Sequence, residues 1–427
     1  MIATIAASAW LGDARLQKVL GLLNRDGEEA RIAGGAVRNA LFGEAVSDID
    51  IATTCLPEET VRRAAAAGLK TAPTGIEHGT VTVIADGHPF EVTTLRRDIE
   101  TDGRRAKVRF GRDWRADAER RDFTINGLYA EADGTVIDLV GGVADIESRT
   151  LRFIGDAETR IREDYLRILR FFRFFAWYGD GRPDAEGLRA CTRLKPGLSG
   201  LSAERVWSEL RKLLTAPDPS RALLWMRQTG VLTSVLPESE KWGIDAIHGL
   251  VATEKALGWM ADPLLRLEAM VPRDAARMGE LGRRLKLSNA DMTRLAEWAD
   301  GPAIGNSVSD SAMAKLLYRN GASGPADQLR LALASARTRG IDDDSELIAA
   351  GAYGRLLKLA QDWTKPVFPI AGKDLLTLGF EPGEELGKLL ARLEQEWVEA
   401  GFMPDRDALL ARAQQLARKG DGTRPAS

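Results

Sequence analysis

The chain has 427 residues, enough for two or more domains with a sizeable buried core. Charged residues make up 28% and hydrophobic residues 44%, the balance of an ordinary soluble protein. The net charge of −3 excludes a uniformly polybasic binder, so any RNA surface must be a local basic stripe on an acidic body. Cys55 and Cys191 are the only cysteines, which argues for a reducing compartment and against a zinc site built on thiolates. The first twenty residues lack a basic leader region, and Asp13 and Arg15 interrupt their apolar stretch. No run approaches the ~18 apolar residues of a membrane span, so a cytoplasmic protein is expected.

In chain order, a helix is expected over Ala14–Leu23, then a short strand at Ala30–Ala33 running into Gly34-Gly35. Asp48–Thr53 alternates as a strand. Thr80–Ala85 and Pro89–Leu95 read as a hairpin closed by Asp86-Gly87. An arginine-rich stretch from Arg96 to Arg121 follows, with a loop implied at Asp102-Gly103. Near residue 156 the pattern changes to helical periodicity and keeps it to about 417. One helix is expected from Glu158 to Tyr178, with Ile161, Ile168, Leu169, Phe172 and Phe175 on its apolar face. Breaks are expected near Gly301-Pro302 and Asn320-Gly321, and the tail from Arg418 to Ser427 should fray. The class is α+β: a small mixed-sheet head followed by an all-helical remainder.

Four groups of residues carry chemistry. Gly34-Gly35 between a strand and a helix lets backbone N–H groups approach phosphate oxygens, and Arg38 lies one turn further on. Asp48 and Asp50, two apart on a strand, present both carboxylates on one face. An all-oxygen pair with no histidine nearby suits Mg²⁺, with Mn²⁺ as a second candidate. Such ions would activate an attacking hydroxyl and stabilise a leaving pyrophosphate. Glu91 alternates against Phe90 and Val92, so it either faces water or joins the metal site; periodicity does not choose. On the polar side of the long helix, Asp164 and Arg167 stand three apart. They form either a plain salt bridge or an acceptor–donor pair that reads a base edge.

In this order, Gly-Gly-Ala-Val-Arg at 34–38, Ser-Asp-Ile-Asp at 47–50, and Gly-Ile-Glu-His-Gly-Thr at 75–80 make the chain resemble one family. The match continues through Glu-Val-Thr-Thr-Leu-Arg at 91–96, Arg-Arg-Asp-Phe-Thr-Ile-Asn-Gly at 120–127, and Glu-Asp-Tyr-Leu-Arg-Ile-Leu-Arg at 163–170. The family is that of the class II CCA-adding enzymes and bacterial poly(A) polymerases. The resemblance implies that Gly34, Gly35 and Arg38 hold a triphosphate, and that Asp48 and Asp50 bind the metal, with Glu91 as a further catalytic carboxylate. It implies that Arg121 contacts the nucleotide, that Asp122 and Asn126 lie at the ribose, and that Asp164 and Arg167 select the base with Arg170 and Arg173 nearby. Asp102–Phe110 resembles the flexible loop that helps switch from CTP to ATP, and the Ile370–Leu375 and Leu378–Gly387 segments resemble the family's tail. Two positions depart from the pattern: Asn39 stands where aspartate is frequent, and Ala106 where proline is frequent. His78, His88 and His248 are each followed by a residue other than aspartate, which disfavours an additional phosphohydrolase site.

The implied organisation is a nucleotidyltransferase head over 1–155, a neck with the base-selecting helix over 156–220, a body over 221–300, and a tRNA-holding tail over 301–427. The implied reaction is template-independent addition of CCA to tRNA 3′ ends from CTP and ATP. A poly(A) polymerase and a CC-adding enzyme are same-family alternatives. An RNA-binding protein without activity is the alternative from another class, disfavoured by the presence of Arg38, Asp48 and Asp50. No membrane and no protein partner is implied.

Overall fold

A computed structural model describes residues 3–102, 105–239, 244–340 and 343–418. The chain divides into two compact units, Met1–Ile244 and Asp245–Ser427.

The first unit is built on nine strands: β1 (Ala30–Ala33), β2 (Asp50–Thr53), β3 (Lys70–Gly75), β4 (Thr80–Ala85), β5 (His88–Thr94), β6 (Arg96–Asp102), β7 (Arg105–Phe110), β8 (Leu128–Ala130) and β9 (Val136–Asp138). Seven of them form one sheet in the order β3-β4-β5-β2-β1-β8-β9. β2 and β5 run parallel, while the other pairings in the sheet are antiparallel. The Ala14–Leu23 helix starts at Asp13, whose carboxylate accepts from the Arg15 N–H, and Leu16, Val19, Leu20 and Leu23 are fully buried. The β4–β5 turn places both Asp86 (φ 47°) and Gly87 (φ 80°) in the left-handed region, as a two-residue hairpin requires.

Three expectations are corrected. β2 begins at Asp50, so Asp48 lies on the segment that leads into the strand and not within it. The arginine-rich stretch contains a second, two-stranded sheet, β6 paired with β7. Gly103 and Arg104, at the expected loop, lie outside the described residues. The expected long helix is two helices, Ala157–Glu163 and Leu166–Tyr178, separated at Asp164 (φ −157°, ψ 107°). Asp164 is extended because its carboxylate accepts from the Leu166 N–H at 3.1 Å and is drawn to Arg205, while its carbonyl receives the Arg167 N–H.

Leu166–Tyr178 is joined to the sheet-bearing part of the unit by aromatic packing. Phe171 stacks on Phe153 at 5.5 Å, and Phe174 meets Phe123 edge-on at 5.3 Å.

The second unit is helical. One core gathers Met313, Leu317, Leu329 and Leu356, and another gathers Leu375, Leu393, Trp397 and Ala413. The expected breaks fall at Gly301, which ends the Asn289–Asp300 helix, and at Gly321 (φ 76°), which ends Asp310–Asn320. Residues 419–427, expected to fray, lie outside the described residues.

Candidate active site

The site starts where β1 ends. Gly34 has φ +62°, a backbone conformation that favours glycine, and a Cβ there would lie 2.8 Å from Nη1 of Arg121 and push that guanidinium aside. Gly35 opens the Gly35–Phe42 helix, which places Arg38 one turn in. Arg38 donates to Asn126 Oδ1 at 2.5 Å and to Asn39 Oδ1 at 2.8 and 3.1 Å. Burial pushes its pKa down from the usual arginine value.

Asp50 pairs in register with Ala33 of β1 and with Glu91 of β5, which sets the two carboxylates side by side at the sheet end that carries the glycine turn. Phe90 and Val92 are buried while Glu91 is exposed, on the same face of the sheet as its register partner Asp50. The Asp50 carboxyl is raised above its ordinary value by desolvation, then by repulsion from Glu91 and Asp48, and is lowered by Arg121. Asp50 keeps an exposed side chain, so the repulsion is the stronger part of that argument. Among the described residues no group of three or more His, Cys, Asp or Glu is placed to hold a metal ion.

Arg121 is fixed by Asp117, a carboxylate only 1% exposed that also holds Arg120 at 2.8 Å and accepts from the Tyr129 hydroxyl at 2.7 Å. Burial alone would raise the Asp117 pKa, but Arg120, Arg121 and Tyr129 hold it below the usual range. Asp122 is buried as well. It accepts from Asn126 Nδ2 at 2.9 Å and pairs with Arg170 at 2.5 Å. Arg38, Asn126, Asp122 and Arg170 therefore form one continuous polar chain from the glycine turn to the Leu166–Tyr178 helix. At its far end Asp164 pairs with Arg205 at 2.6 Å, and Arg167 pairs with Glu163 at 2.5 Å.

These groups enclose a cavity of about 440 Å³, lined by Gly34, Gly35, Arg38, Arg121, Asp122, Asn126, Asp164, Leu166, Arg167, Arg170, Phe174 and Arg205. All the expected nucleotide-binding residues line it except Arg173, which lies behind, ion-paired with Glu209 at 2.6 Å and stacked on Phe174. Asp48, Asp50 and Glu91 lie outside the lining, linked to it by the charge of Arg121 acting on Asp50. A larger cavity of about 790 Å³ in the second unit, around Gly249, Trp259 and Leu333, contains none of the motif residues.

Sequence reading missed Arg205, Phe174, Asp117 and Glu209. Arg205 and Glu209 stand four apart on the Ala203–Leu214 helix, and a glutamate between Trp207 and Leu210 on a buried face was the available signal.

Residues 30–152 match the family described as "Poly A polymerase head domain", and residues 182–242 match "Probable RNA and SrmB-binding site of polymerase A". The mitochondrial CCA tRNA nucleotidyltransferase 1 of Mus musculus is 35% identical over 406 residues, covering 93% of this chain and 89% of the relative. The CCA-adding enzyme of Levilactobacillus brevis is 32% identical over 413 residues, covering 92% and 95%. The crystal structure of the Bacillus stearothermophilus CCA-adding enzyme in complex with CTP superposes with a TM-score of 0.66 at 26% identity, covering 95% of this chain and 97% of that one. The likeness runs through both units and not the head alone: the chain belongs to the CCA tRNA nucleotidyltransferase family.

Proposed function

We propose that this chain adds CCA to tRNA 3′ ends from CTP and ATP, with the 440 Å³ cavity as the nucleotide site. The observation that carries the reading is the charge state of the lining. Arg121, Arg167, Arg170 and Arg205 each have a carboxylate partner, whereas Arg38, beside the glycine turn, has none in ion-pair reach among the described residues. An uncompensated guanidinium facing backbone N–H groups at a helix start is where a triphosphate belongs.

In the reaction the tRNA 3′-hydroxyl forms a bond to the α-phosphorus, and the bond from that phosphorus to the bridging oxygen breaks, releasing pyrophosphate. Asp48 and Asp50 would hold Mg²⁺, or Mn²⁺ in its place, with Glu91 in register beside Asp50 as a further catalytic carboxylate. The donor set fits a hard cation, because it is all oxygen and its members repel one another at Asp50. When bound, the metal supplies charge neutralisation at the transferring phosphoryl group. Gly34, Gly35, Arg38 and Arg121 grip the phosphates, while Asp122 and Asn126 brace the ribose end. Asp164 and Arg167 meet the base, held by Arg205 and Glu163, and Arg170 and Arg173 support that helix.

In this reading residues 1–155 are the catalytic head, 156–220 the neck, 221–300 the body and 301–427 the tail that holds tRNA. Two buried free thiols, Cys55 and Cys191, support a cytoplasmic setting. No helix among the described residues is long and apolar enough to cross a membrane.

The test is incubation with tRNA lacking CCA, tRNA lacking only the final A, and a generic oligoribonucleotide, with each nucleotide supplied separately. CC followed by A on tRNA, and then arrest, is the expected result. Long A tracts on the generic RNA overturn it in favour of a poly(A) polymerase.

A further inference from the structure

The charge of Arg38 is held in place by neutral groups only. Asn39 Oδ1 accepts from Arg38 Nε and Nη2 at 3.1 and 2.8 Å, and the same oxygen accepts from the Tyr178 hydroxyl at 3.1 Å. The Asn39 amide cannot swing away, because its Nδ2 donates to the Ala45 carbonyl at 2.9 Å. Above the guanidinium lies the Tyr178 ring, 4.4 Å from Arg38 Cζ, with Phe174 at 5.2 Å. Tyr178 is itself backed by Phe42, stacked at 5.0 Å with a 24° interplanar angle. Ring faces attract a guanidinium without neutralising it, unlike the carboxylates that bind the other arginines of the cavity.

We propose that Tyr178, acting through Asn39 and Arg38, is a positioning residue for the triphosphate. It aims the Arg38 fork at the glycine turn while leaving its charge for the nucleotide. Tyr178 closes the helix whose opening residues include Arg167, so the clamp also ties the phosphate end of the cavity to the base end. Because the clamp acts on the phosphates, it serves CTP and ATP alike and leaves base choice to other groups. The inference rests on the proposed triphosphate role of Arg38.

The experiment measures equilibrium affinity for CTP, ATP and CMP, and CTP-over-UTP preference, in full-length Tyr178→Leu, Tyr178→Phe, Asn39→Ala, Arg38→Ala and the Tyr178→Leu/Arg38→Ala double variant. Tyr178→Leu should weaken CTP and ATP binding equally, by about fivefold, with CMP affinity and base preference unchanged. Tyr178→Phe, which keeps the ring, should recover most of that loss. In the Arg38→Ala background the Tyr178 change should add nothing. If Tyr178→Leu fails to fold, Asn39→Ala carries the test, since it removes the acceptor that Arg38 and Tyr178 share; it should then show a triphosphate-specific loss. Wild-type CTP and ATP affinity in folded Tyr178→Leu or Asn39→Ala overturns the proposal, as does a Tyr178→Leu effect that persists undiminished without Arg38. Unchanged triphosphate affinity in Arg38→Ala alone would instead overturn the triphosphate reading of Arg38.

Discussion

Asp164 and Arg205, 41 positions apart, are joined Oδ2 to Nη2 at 2.6 Å, while Arg167, three residues beyond Asp164, is bound to Glu163 instead. The side chains of the two base-selecting candidates are thus not each other's partners. Each is oriented from outside the pair, which frees both to face a third group.

The first prediction concerns the carboxylates. Asp50→Ala or Asp48→Ala should abolish C and A addition alike, because each removes charge neutralisation at the phosphoryl group. The fold should survive, since both side chains are exposed and Ile51, on the opposite face, carries the packing. Near-normal turnover in either folded variant would remove these residues from the catalytic role.

Asp117 is a brace. Asp117→Ala strips a buried carboxylate from Arg120, Arg121 and the Tyr129 hydroxyl at once, leaving buried donors unpaired. A loss of about 3–5 kcal/mol in folding stability is expected, read by denaturant titration. Nucleotide affinity should fall with it in whatever folded fraction remains, because Arg121 loses its anchor.

Stability should also depend on acid pH through Asp122. Burial opposes ionisation, but Arg170 and Asn126 hold its carboxyl below the ordinary 3.8. A group whose folded pKa is depressed contributes stability above the unfolded value and loses it as pH falls through the folded one. The wild type should therefore lose stability progressively below about pH 4, and Asp122→Asn should be less stable at neutral pH with a flatter acid limb. Parallel acid limbs in chemical unfolding of the two proteins would assign the loss to other carboxylates.

What the sequence made legible follows from the range of the forces involved. The Ala14–Leu23 helix, β1 and the β4–β5 hairpin are set by local periodicity and turn chemistry, and their expected positions agree with the structure. The break at Asp164 is set by Arg205 on another helix, so a single-helix pattern conceals it. β6 carries charges at five of its seven positions and lacks the apolar alternation that announces a strand, whereas β7, Arg-Ala-Lys-Val-Arg-Phe, does alternate but sits within the arginine-rich stretch. At the site, the glycines and the Asp48/Asp50 pair stand out through spacing alone. Arg205 reaches the site only through tertiary packing against Asp164, whereas Asp117 holds Arg120 and Arg121 by local pairs three and four residues on, which spacing alone does not set apart from a solvated salt bridge.

Truncation separates the roles of the two units. A cut near residue 300 would part the Asn289–Asp300 helix from Ser323–Arg339, which meet through Arg294 and the buried Asp327 at 2.6 Å. A cut after Ile244 follows the boundary of the compact unit. The 1–244 fragment should keep nucleotide affinity and lose tRNA affinity by about tenfold or more. Equal loss of both affinities in a folded fragment would show that the division of labour is wrong.

The last prediction is how a protein without a template chooses C and A. On the Watson–Crick edge, cytosine offers an amino donor beside the N3 acceptor, and adenine an amino donor beside N1. Ionised Asp164 only accepts and Arg167 only donates, so the pair complements both permitted bases. Uracil and guanine present a carbonyl beside an N–H donor, which sets oxygen against Asp164 and N–H against Arg167. Arg205 and the Leu166 N–H fix the Asp164 carboxylate, while Glu163 and the Arg160 carbonyl take one nitrogen of Arg167, Nη1, leaving its remaining N–H groups for a base. A bidentate match of this kind discriminates by ~1–3 kcal/mol. Asp164→Ala should therefore relax rejection of UTP and GTP by roughly ten- to hundredfold. Arg205→Ala, which frees the carboxylate without deleting it, should produce a smaller relaxation in the same direction. If Asp164 served only as an ion-pair partner for Arg205, both variants would lose stability to a similar extent and keep their base choice. Competition between UTP and CTP on a CCA-less tRNA separates these outcomes: selectivity that survives in folded Asp164→Ala places base choice elsewhere in the cavity.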